Sequence, residues 1–326
     1  SKSDTIASAA QAAIESNPEV QARWHAFLAS GEDRDEVHGA YLPSIDLTAS
    51  AGKANRDFDG RSNYGRGQAE VTLTQMLFDG FRVSNQLARA DHTRMTRYYE
   101  LMDAVQGKAL EVAQAYEDVT RYREMVELAK HNYSNHERVF KQINARAKSG
   151  VGNKADLEQI RGRRSLAEVN LLTEAANLHD ASARFVRLVG RAPYSDMTAT
   201  VLEGNDVIPA NLQQVLRLAY AGNPGFHAAF EGVNSARAAV DERKASRYPR
   251  LELRARYGLS KNMNGFDART DPDNLGKESV VELGLGYNIF RGGSDLAAER
   301  AANLRANQAE DLRLKACIDL RQTTSI

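Results

Sequence analysis

The sequence predicts an internally duplicated α+β membrane protein in which four alternating strands of bilayer-crossing length are continuous with long helices. Three observations predict it. A block of motifs occurs twice in one order, each copy carries two apolar/polar alternations, and one helix-forming stretch is far longer than a compact domain needs. The first copy reads Asn17-Pro18, then Tyr41-Leu42-Pro43-Ser44-Ile45-Asp46-Leu47, then Leu77-Phe78-Asp79-Gly80. The second reads Asn223-Pro224, then Arg247-Tyr248-Pro249-Arg250-Leu251-Glu252-Leu253, then Ile289-Phe290-Arg291-Gly292. Pro18 and Pro43 are separated by the same interval as Pro224 and Pro249, and a repeat this long sets the architecture ahead of any local motif.

The first repeat occupies 1–190. Residues 4–40 read as a helix that Pro43 ends, because proline cannot continue a helix and biases its predecessor toward extended backbone. A strand over 41–51 follows, with Ile45, Leu47, Ala49 and Ala51 alternating with Ser44, Asp46, Thr48 and Ser50. Residues 52–66 are rich in Gly, Asn, Asp and Arg and read as a loop. The second strand, 67–78, sets Ala69, Val71 and Leu73 against Gln68, Glu70, Thr72 and Thr74. A long helical hairpin spans 82–189. In its first arm apolar residues recur every seventh position: Tyr98, Val105, Val112, Val119, Val126, Tyr133, Phe140 and Ala147. That is a coiled-coil seam. At 1.5 Å per residue this arm is about 100 Å long. Ser149 to Asn153 form the turn, and the second arm repeats the spacing with Leu157, Leu171, Leu178 and Phe185 before Gly190 and Pro193 close it.

Residues 191–209 form an irregular connection. The second repeat, 210–326, follows the same plan: a helix over 210–246, a strand over 249–260, a loop, a strand over 279–290 and a long helix from 294. Leu251, Leu253, Ala255, Tyr257 and Leu259 oppose Arg250, Glu252, Arg254 and Arg256; Val281, Leu283, Leu285, Tyr287 and Ile289 oppose Glu282, Gly284, Gly286 and Asn288. The chain ends partway through the counterpart of the long helix, so a truncated second copy is expected. It opens at Ser1 with no signal-like apolar core, which fits a mature, processed N-terminus.

Composition narrows the function. Lys+Arg and Asp+Glu are both 43, so no global basic field points to nucleic acid. Mean hydropathy is −0.52, and no run of about 18 apolar residues marks a transmembrane helix. Barrel strands escape that test because they alternate. The single Cys317 excludes an intrachain disulfide and reads as a helix-packing residue. The seven histidines (25, 38, 92, 131, 136, 179 and 227) form no metal-ligand motif and read as solvated helix positions. Asp271-Pro272-Asp273-Asn274 lacks the rest of a calcium loop. Gly150-Val151-Gly152-Asn153-Lys154-Ala155 matches a dinucleotide-binding G-x-G-x-x-A, but a long helix precedes it where that motif needs a strand. No nucleophile–base arrangement stands out, so no enzyme, cofactor or metal is expected.

About ten alternating residues suit a tilted strand crossing a bilayer. They also suit a soluble four-stranded sheet with one face on a core; the helix of about 100 Å favours the membrane. On that reading Asp46, Glu70, Arg250, Glu252, Arg254, Arg256 and Glu282 line a barrel lumen, and their mixed charge suits a water-filled passage. Tyr41, Phe78, Tyr248 and Phe290, at the strand–helix junctions, sit where an interfacial aromatic girdle lies. Four strands cannot close a barrel alone, whereas twelve from three chains can.

These motifs, the hairpin turn from Ala145 to Leu157 and the helix end Leu188-Val189-Gly190-Arg191-Ala192-Pro193 resemble the TolC-like outer-membrane channel proteins over essentially the whole chain, most of all the type I secretion branch. The resemblance implies a homotrimer with a twelve-stranded barrel in the lipid of a Gram-negative outer membrane. It implies a long α-helical barrel across the periplasm, with 191–209 as its equatorial connection. Function would be passive export of drugs or proteins from an inner-membrane pump or ABC transporter through a periplasmic adaptor protein. Ser149, Gly150, Val151, Gly152 and Asn153 match the family's adaptor-contact hairpin tip. The second hairpin is absent, so no gate residue carries over. The rival expectation is a soluble periplasmic coiled-coil scaffold or adaptor.

Overall fold

The computed structural model describes residues 5–54, 64–199, 209, 211–263 and 275–325. Its elements are α1 (Ile6–Ser16), α2 (Pro18–Gly39), β1 (Ser44–Ala54), β2 (Tyr64–Phe78), α3 (Arg82–Lys148), α4 (Lys154–Val189), α5 (Leu212–Gly222), α6 (Pro224–Lys244), a 3-10 turn (Ala245–Arg247), β3 (Arg250–Met263), β4 (Leu275–Gly286) and α7 (Ser294–Ser325). They group into two compact units. One holds residues 1–26 and 100–218, the other 27–99 and 219–326.

The first unit is built on the α3–α4 hairpin. Val112, Ala115, Tyr116 and Val119 of α3 pack with Ala181, Phe185, Leu188 and Val189 of α4 and with Ala9 and Ala13 of α1. Met197 joins them, which ties the described part of the connecting segment to this core. Arg123 donates to the carbonyls of Tyr194 (2.7 Å) and Pro193 (3.3 Å), and the Thr198 amide donates to the Tyr116 hydroxyl (3.3 Å). Lys108, buried, sits 3.2 Å from Glu19 and 2.9 Å from Glu111. The seven-residue seam is buried at Val112, Val119 and Val126, whereas Tyr98 is exposed and Val105, Tyr133, Phe140 and Ala147 are half-buried. A regular heptad stripe therefore makes core only where α1, α4 and the connecting segment cover it.

In the second unit the strands form one antiparallel sheet in the order β1-β2-β3-β4. Its helices meet through polar contacts as much as apolar ones. Gln86 donates to Glu242 (2.9 Å), and Arg89 lies 3.2 Å from the other oxygen of that buried carboxylate. Arg34 pairs with Asp91 (2.9 Å), and Arg247 grips Glu299 through both of its oxygens (2.7 and 2.5 Å).

Several expected boundaries are corrected. The single helices expected over 4–40 and 210–246 are each broken at the Asn of an Asn-Pro pair. Asn17 has extended backbone and its side chain accepts from the Glu19 amide (3.0 Å); the Asn223 side chain accepts from the Phe226 amide (2.7 Å). Proline starts the next helix without needing a donor, and asparagine caps it. The strand expected from 41 begins at Ser44, because amides of residues 40, 41 and 42 still bond back three residues and tighten the end of α2. β1, β2, β3 and β4 run further toward the loops than composition suggests, with Lys53 opposite Gly65 and Lys261 opposite Leu275. A formed ladder propagates through residues that look like loop. The strand expected over 279–290 ends at Gly286, opposite Arg250; beyond that point Pro249 has no N–H to offer. Asp271 to Asn274 and most of 200–210 lie outside the described residues.

Candidate functional site

The cross-strand register sorts the sheet into two chemically distinct faces. One face holds the rungs Ile45–Leu73–Ala255–Val281, Leu47–Val71–Tyr257 and Leu253–Leu283. The other holds Asp46–Thr72–Arg256, Thr48–Glu70–Gly258, Thr74–Arg254–Glu282 and Glu252–Gly284. Side chains alternate along each strand, so Asp46, Glu70, Arg250, Glu252, Arg254, Arg256 and Glu282 all stand on this second face. Arg254 bridges two of them, 2.5 Å from Glu252 and 3.5 Å from Glu282, while Thr72 donates to Glu70 (3.1 Å). These pairs are about 40% exposed, so each is worth about 0–1 kcal/mol. Arg66 and Glu278 stand on the same face by parity. Sequence reasoning missed both because it placed Arg66 in a loop and began the fourth strand one residue after Glu278; the alternation, continued past the glycines, would have found them.

No described residue of the four strands is buried on either face. On the apolar face the edge-strand residues are exposed, Ile45 at 69%, Leu47 at 73%, Val281 at 74%, Leu283 at 63% and Leu285 at 71%, while Leu73, Leu251, Leu253 and Ala255 of the central strands are half-buried. On the polar face Asp46 and Arg250 are exposed, and Glu70, Thr72, Glu252, Arg254, Arg256 and Glu282 are half-buried.

At the helix end of the sheet the chain turns from β2 into α3. A bulge between Met76 and Phe78 shifts the register by one residue, so Phe78 pairs with Leu251 on the apolar face. Gly80 (φ 74°) and Phe81 (φ 67°) then take left-handed backbone, and a Cβ on Gly80 would lie 2.7 Å from the Ala245 carbonyl. Asp79 caps α3, accepting from the Arg82 (3.0 Å) and Val83 (2.7 Å) amides. Phe81 meets Phe78 and Tyr248 edge-on, at 5.4 and 6.2 Å between ring centroids. Phe78 and Tyr248 are thus brought together by Phe81, which sequence reasoning did not single out. Tyr41 instead meets His38 (6.0 Å), and Phe290 is 82% exposed.

The hairpin turn is tightly organised. The Arg146 carbonyl accepts from the Val151 amide (3.2 Å), the Gly152 amide (3.1 Å) and the Ser149 hydroxyl (2.9 Å). Gly150 has φ 80° and its amide donates to Ala147 (3.2 Å). A Cβ on Gly152 would lie 2.8 Å from the Ala147 nitrogen. Asn153 caps α4 through the Ala155 amide (2.9 Å). Every residue of the turn is held by its geometry, and the Val151 side chain alone points out, with the residue 85% exposed. The left-handed glycine followed by an Asn cap is turn chemistry, which accounts for the glycine spacing without a nucleotide.

Two histidines depart from the expected solvated role. His92 Nδ1 lies 2.6 Å from Glu231, and the His227 ring stacks on Tyr99 at 5.2 Å. Both sit where α3 meets α6, which the spacing of histidines along one helix cannot show. Cys317 packs with its Sγ 3.4 Å from the Tyr220 hydroxyl.

Known proteins share this arrangement. Residues 9–191, more than half of the chain, match the family model described as outer membrane efflux protein. The outer membrane efflux protein BepC of Brucella suis is 26% identical over 245 residues, covering 74% of this chain and 52% of BepC. The alkaline protease secretion protein AprF of Pseudomonas aeruginosa is 26% identical over 313 residues, covering 91% of this chain and 63% of AprF. The chain thus spans between about half and two thirds of these relatives. The Campylobacter jejuni CmeC outer membrane channel superposes with a TM-score of 0.82 at 14% identity, covering 96% of this chain and 68% of that one, a likeness of fold. With the family model matched over more than half of its length, the chain belongs to the outer membrane efflux protein family.

Proposed function

We propose that this chain supplies one third of an outer-membrane exit duct, through which substrate passes from an inner-membrane pump or ABC transporter and a periplasmic adaptor to the outside. The observation that carries the reading is the two-faced chemistry of an uncovered sheet: a face of Leu, Ile, Val and Tyr, with Ile45, Leu47, Val281, Leu283 and Leu285 exposed, backs a face of mixed charge. In water that arrangement leaves a run of exposed Leu, Ile and Val that folding would ordinarily bury. Against lipid it is the ordinary state of a barrel strand. On this reading Asp46, Glu70, Arg250, Glu252, Arg254, Arg256 and Glu282 line the lumen, and Tyr41, Phe78, Tyr248 and Phe290 mark the inner interface of the membrane.

The sheet's open edges support a homotrimer. β1 and β4 each pair on one side only. Unpaired backbone groups cost several kcal/mol each in hydrocarbon, so a lipid-embedded sheet has to close. β4 of one copy against β1 of the next closes it, and three copies give twelve strands. Ser149 to Asn153 are the proposed adaptor contact, with Val151 as the side chain free to make it. The names of the relatives divide between efflux and protease secretion, and the longer alignment to AprF favours a secreted protein as cargo.

The test is the state of the full-length protein. A species three protomers in mass that requires detergent is expected. A monomer that stays soluble in plain buffer refutes the duct and favours a periplasmic scaffold.

A further inference from the structure

The apolar face of the sheet is not wholly uncharged. Three charged side chains stand on it among the described strand residues, and all three are lysines: Lys53, Lys261 and Lys277. Lys53 continues the alternation of Ile45, Leu47, Ala49 and Ala51, Lys261 that of Leu253 to Leu259, and Lys277 that of Leu285, Leu283 and Val281. Every carboxylate of the described strands, namely Asp46, Glu70, Glu252, Glu278 and Glu282, stands on the opposite face, as do all the arginines. The three lysines are exposed, and the described residues of their face include no acid.

Their position is equally selective. All three sit in the last rungs toward the loops, at the end of the sheet opposite the Phe78–Phe81–Tyr248 aromatics. From Lys277 to Leu285 is eight steps along β4, about 27 Å along the strand and about 20 Å along the membrane normal at a tilt of about 40°. That is close to the height of a barrel's apolar band, so the ammonium groups fall at head-group level on the far side. Lys261 pairs with Leu275, which makes Lys277 its diagonal neighbour at about 7–8 Å. Lys53 lies across β2, about 12 Å from Lys261 by strand spacing and rise. The residues between them on β2 are Gly65 and Gly67, which leave the floor of backbone bare.

We propose that Lys53, Lys261 and Lys277 form a phosphate-binding collar on the lipid-facing wall, and that its ligand is the phosphorylated head group of the glycolipid in the loop-side leaflet. The inference rests on the duct reading above. Charge purity is what selects this ligand. A rim that served only solubility would mix signs, and a zwitterionic head group gains little from three cations whose face holds no acid among the described strand residues. A phosphomonoester leaflet gains from each of them, the long stems lying along the apolar wall while the ammonium reaches the phosphates. The aromatic end and the lysine end would thus read the two leaflets differently and fix the direction of insertion.

The experiment inserts the full-length protein into phosphatidylcholine nanodiscs doped with bis-phosphorylated lipid A, with dephosphorylated lipid A, or with inorganic phosphate in the buffer. Glycolipid retained per protomer is counted by mass spectrometry. The wild type is expected to retain the phosphorylated glycolipid and not the dephosphorylated one. A K53Q/K261Q/K277Q variant is expected to insert equally well and to bind about a hundredfold more weakly, about fivefold per lysine. Equal retention by the variant, equal retention of the dephosphorylated lipid, or full competition by inorganic phosphate each overturns the collar while leaving the duct standing. A wild type that fails to insert sinks both.

Discussion

The charge test of the apolar face separates lipid from water most sharply at Leu47. This residue is 73% exposed and shares its rung with Val71 and Tyr257, the latter near the middle of the fourteen-residue β3. Arginine at Leu47 therefore lands near mid-membrane if the face meets lipid, at a cost of about 2–4 kcal/mol per copy. If the face meets water, an exposed substitution changes stability by about 0.5 kcal/mol or less. Thr48→Arg is the control. One residue along, it points to the polar face beside Glu70, where a further cation is expected to be near-neutral. The assay is the denaturant midpoint of the protein refolded into bilayers, read with the yield of assembled protein in outer-membrane fractions. Leu47→Arg should lower both and Thr48→Arg should lower neither. Wild-type behaviour of Leu47→Arg, or the two variants exchanging roles, refutes the assignment of faces.

Other outcomes follow from the helical unit. Val151→Asp is expected to abolish adaptor binding in a pull-down at unchanged melting temperature, because the side chain is 85% exposed; Gly152→Ala is expected to cost about 1–3 kcal/mol and lower the melting temperature, since its Cβ meets the Ala147 backbone at 2.8 Å. Phe185→Ala should destabilise the first unit by about 3–5 kcal/mol in thermal unfolding, its ring being fully buried against α1 and α3. The ammonium of Lys108 is held above its ordinary value of 10.5, chiefly by its hydrogen bond to Glu111 and then by that to Glu19. A raised cation stabilises fully below the ordinary value and loses that contribution as pH rises through the folded one. The melting temperature of Lys108→Met should thus converge on that of the wild type only in strong alkali, and a gap that closes between pH 5 and 8 instead would contradict the ion pairing.

Much of this was written in the alternation. Face membership at Ile45, Asp46, Arg254 and Glu282 follows from parity alone, since the side-chain period of a strand is two whatever surrounds it. What the apolar face meets does not follow, because a soluble sheet and a barrel strand share that period; that no core covers it at Leu47 or Leu283 is seen only in the structure. Strand ends were hidden for a different reason. Gly52, Gly65 and Gly276 look like loop residues, yet hydrogen bonding to an established neighbour carries the ladder through them, and Lys53, Arg66 and Glu278 went unread as a result. The Asn-Pro pairs were visible as a repeat but not as helix breaks, since a proline at the first position of a helix and a proline inside one look alike until the cap is seen. Phe81 gave no signal at all: nothing in a sequence announces a non-glycine residue at φ 67°.

The repeat itself is most informative where its two copies differ. After β2 the chain turns through Gly80 and Phe81, at φ 74° and 67°; after β4 it turns through Gly292 and Gly293, at 60° and 80°. Two successive left-handed residues therefore redirect a strand into a helix in both copies. The backbone path is preserved, but its support is not. In the first copy Asp79 caps α3 and Gly80 is pressed against Ala245, so the turn is packed. In the second, arginine stands where Asp79 stood and cannot accept from amides; the Arg291 carbonyl instead receives the Ser294 amide (3.1 Å) and hydroxyl (2.9 Å). Among the described residues beyond their chain neighbours, none comes within 4 Å of a Cβ built on Gly292 or Gly293, and Ile289 and Phe290 are 89% and 82% exposed. A lost side-chain cap costs about 1 kcal/mol, which the second turn recovers in part through Asp295 and its bonds to Asn288 (3.1 Å) and Arg291 (3.4 Å). The first turn is thus anchored within the chain, whereas the second leaves two large apolar side chains uncovered at the level where the duct reading puts lipid and the neighbouring copy.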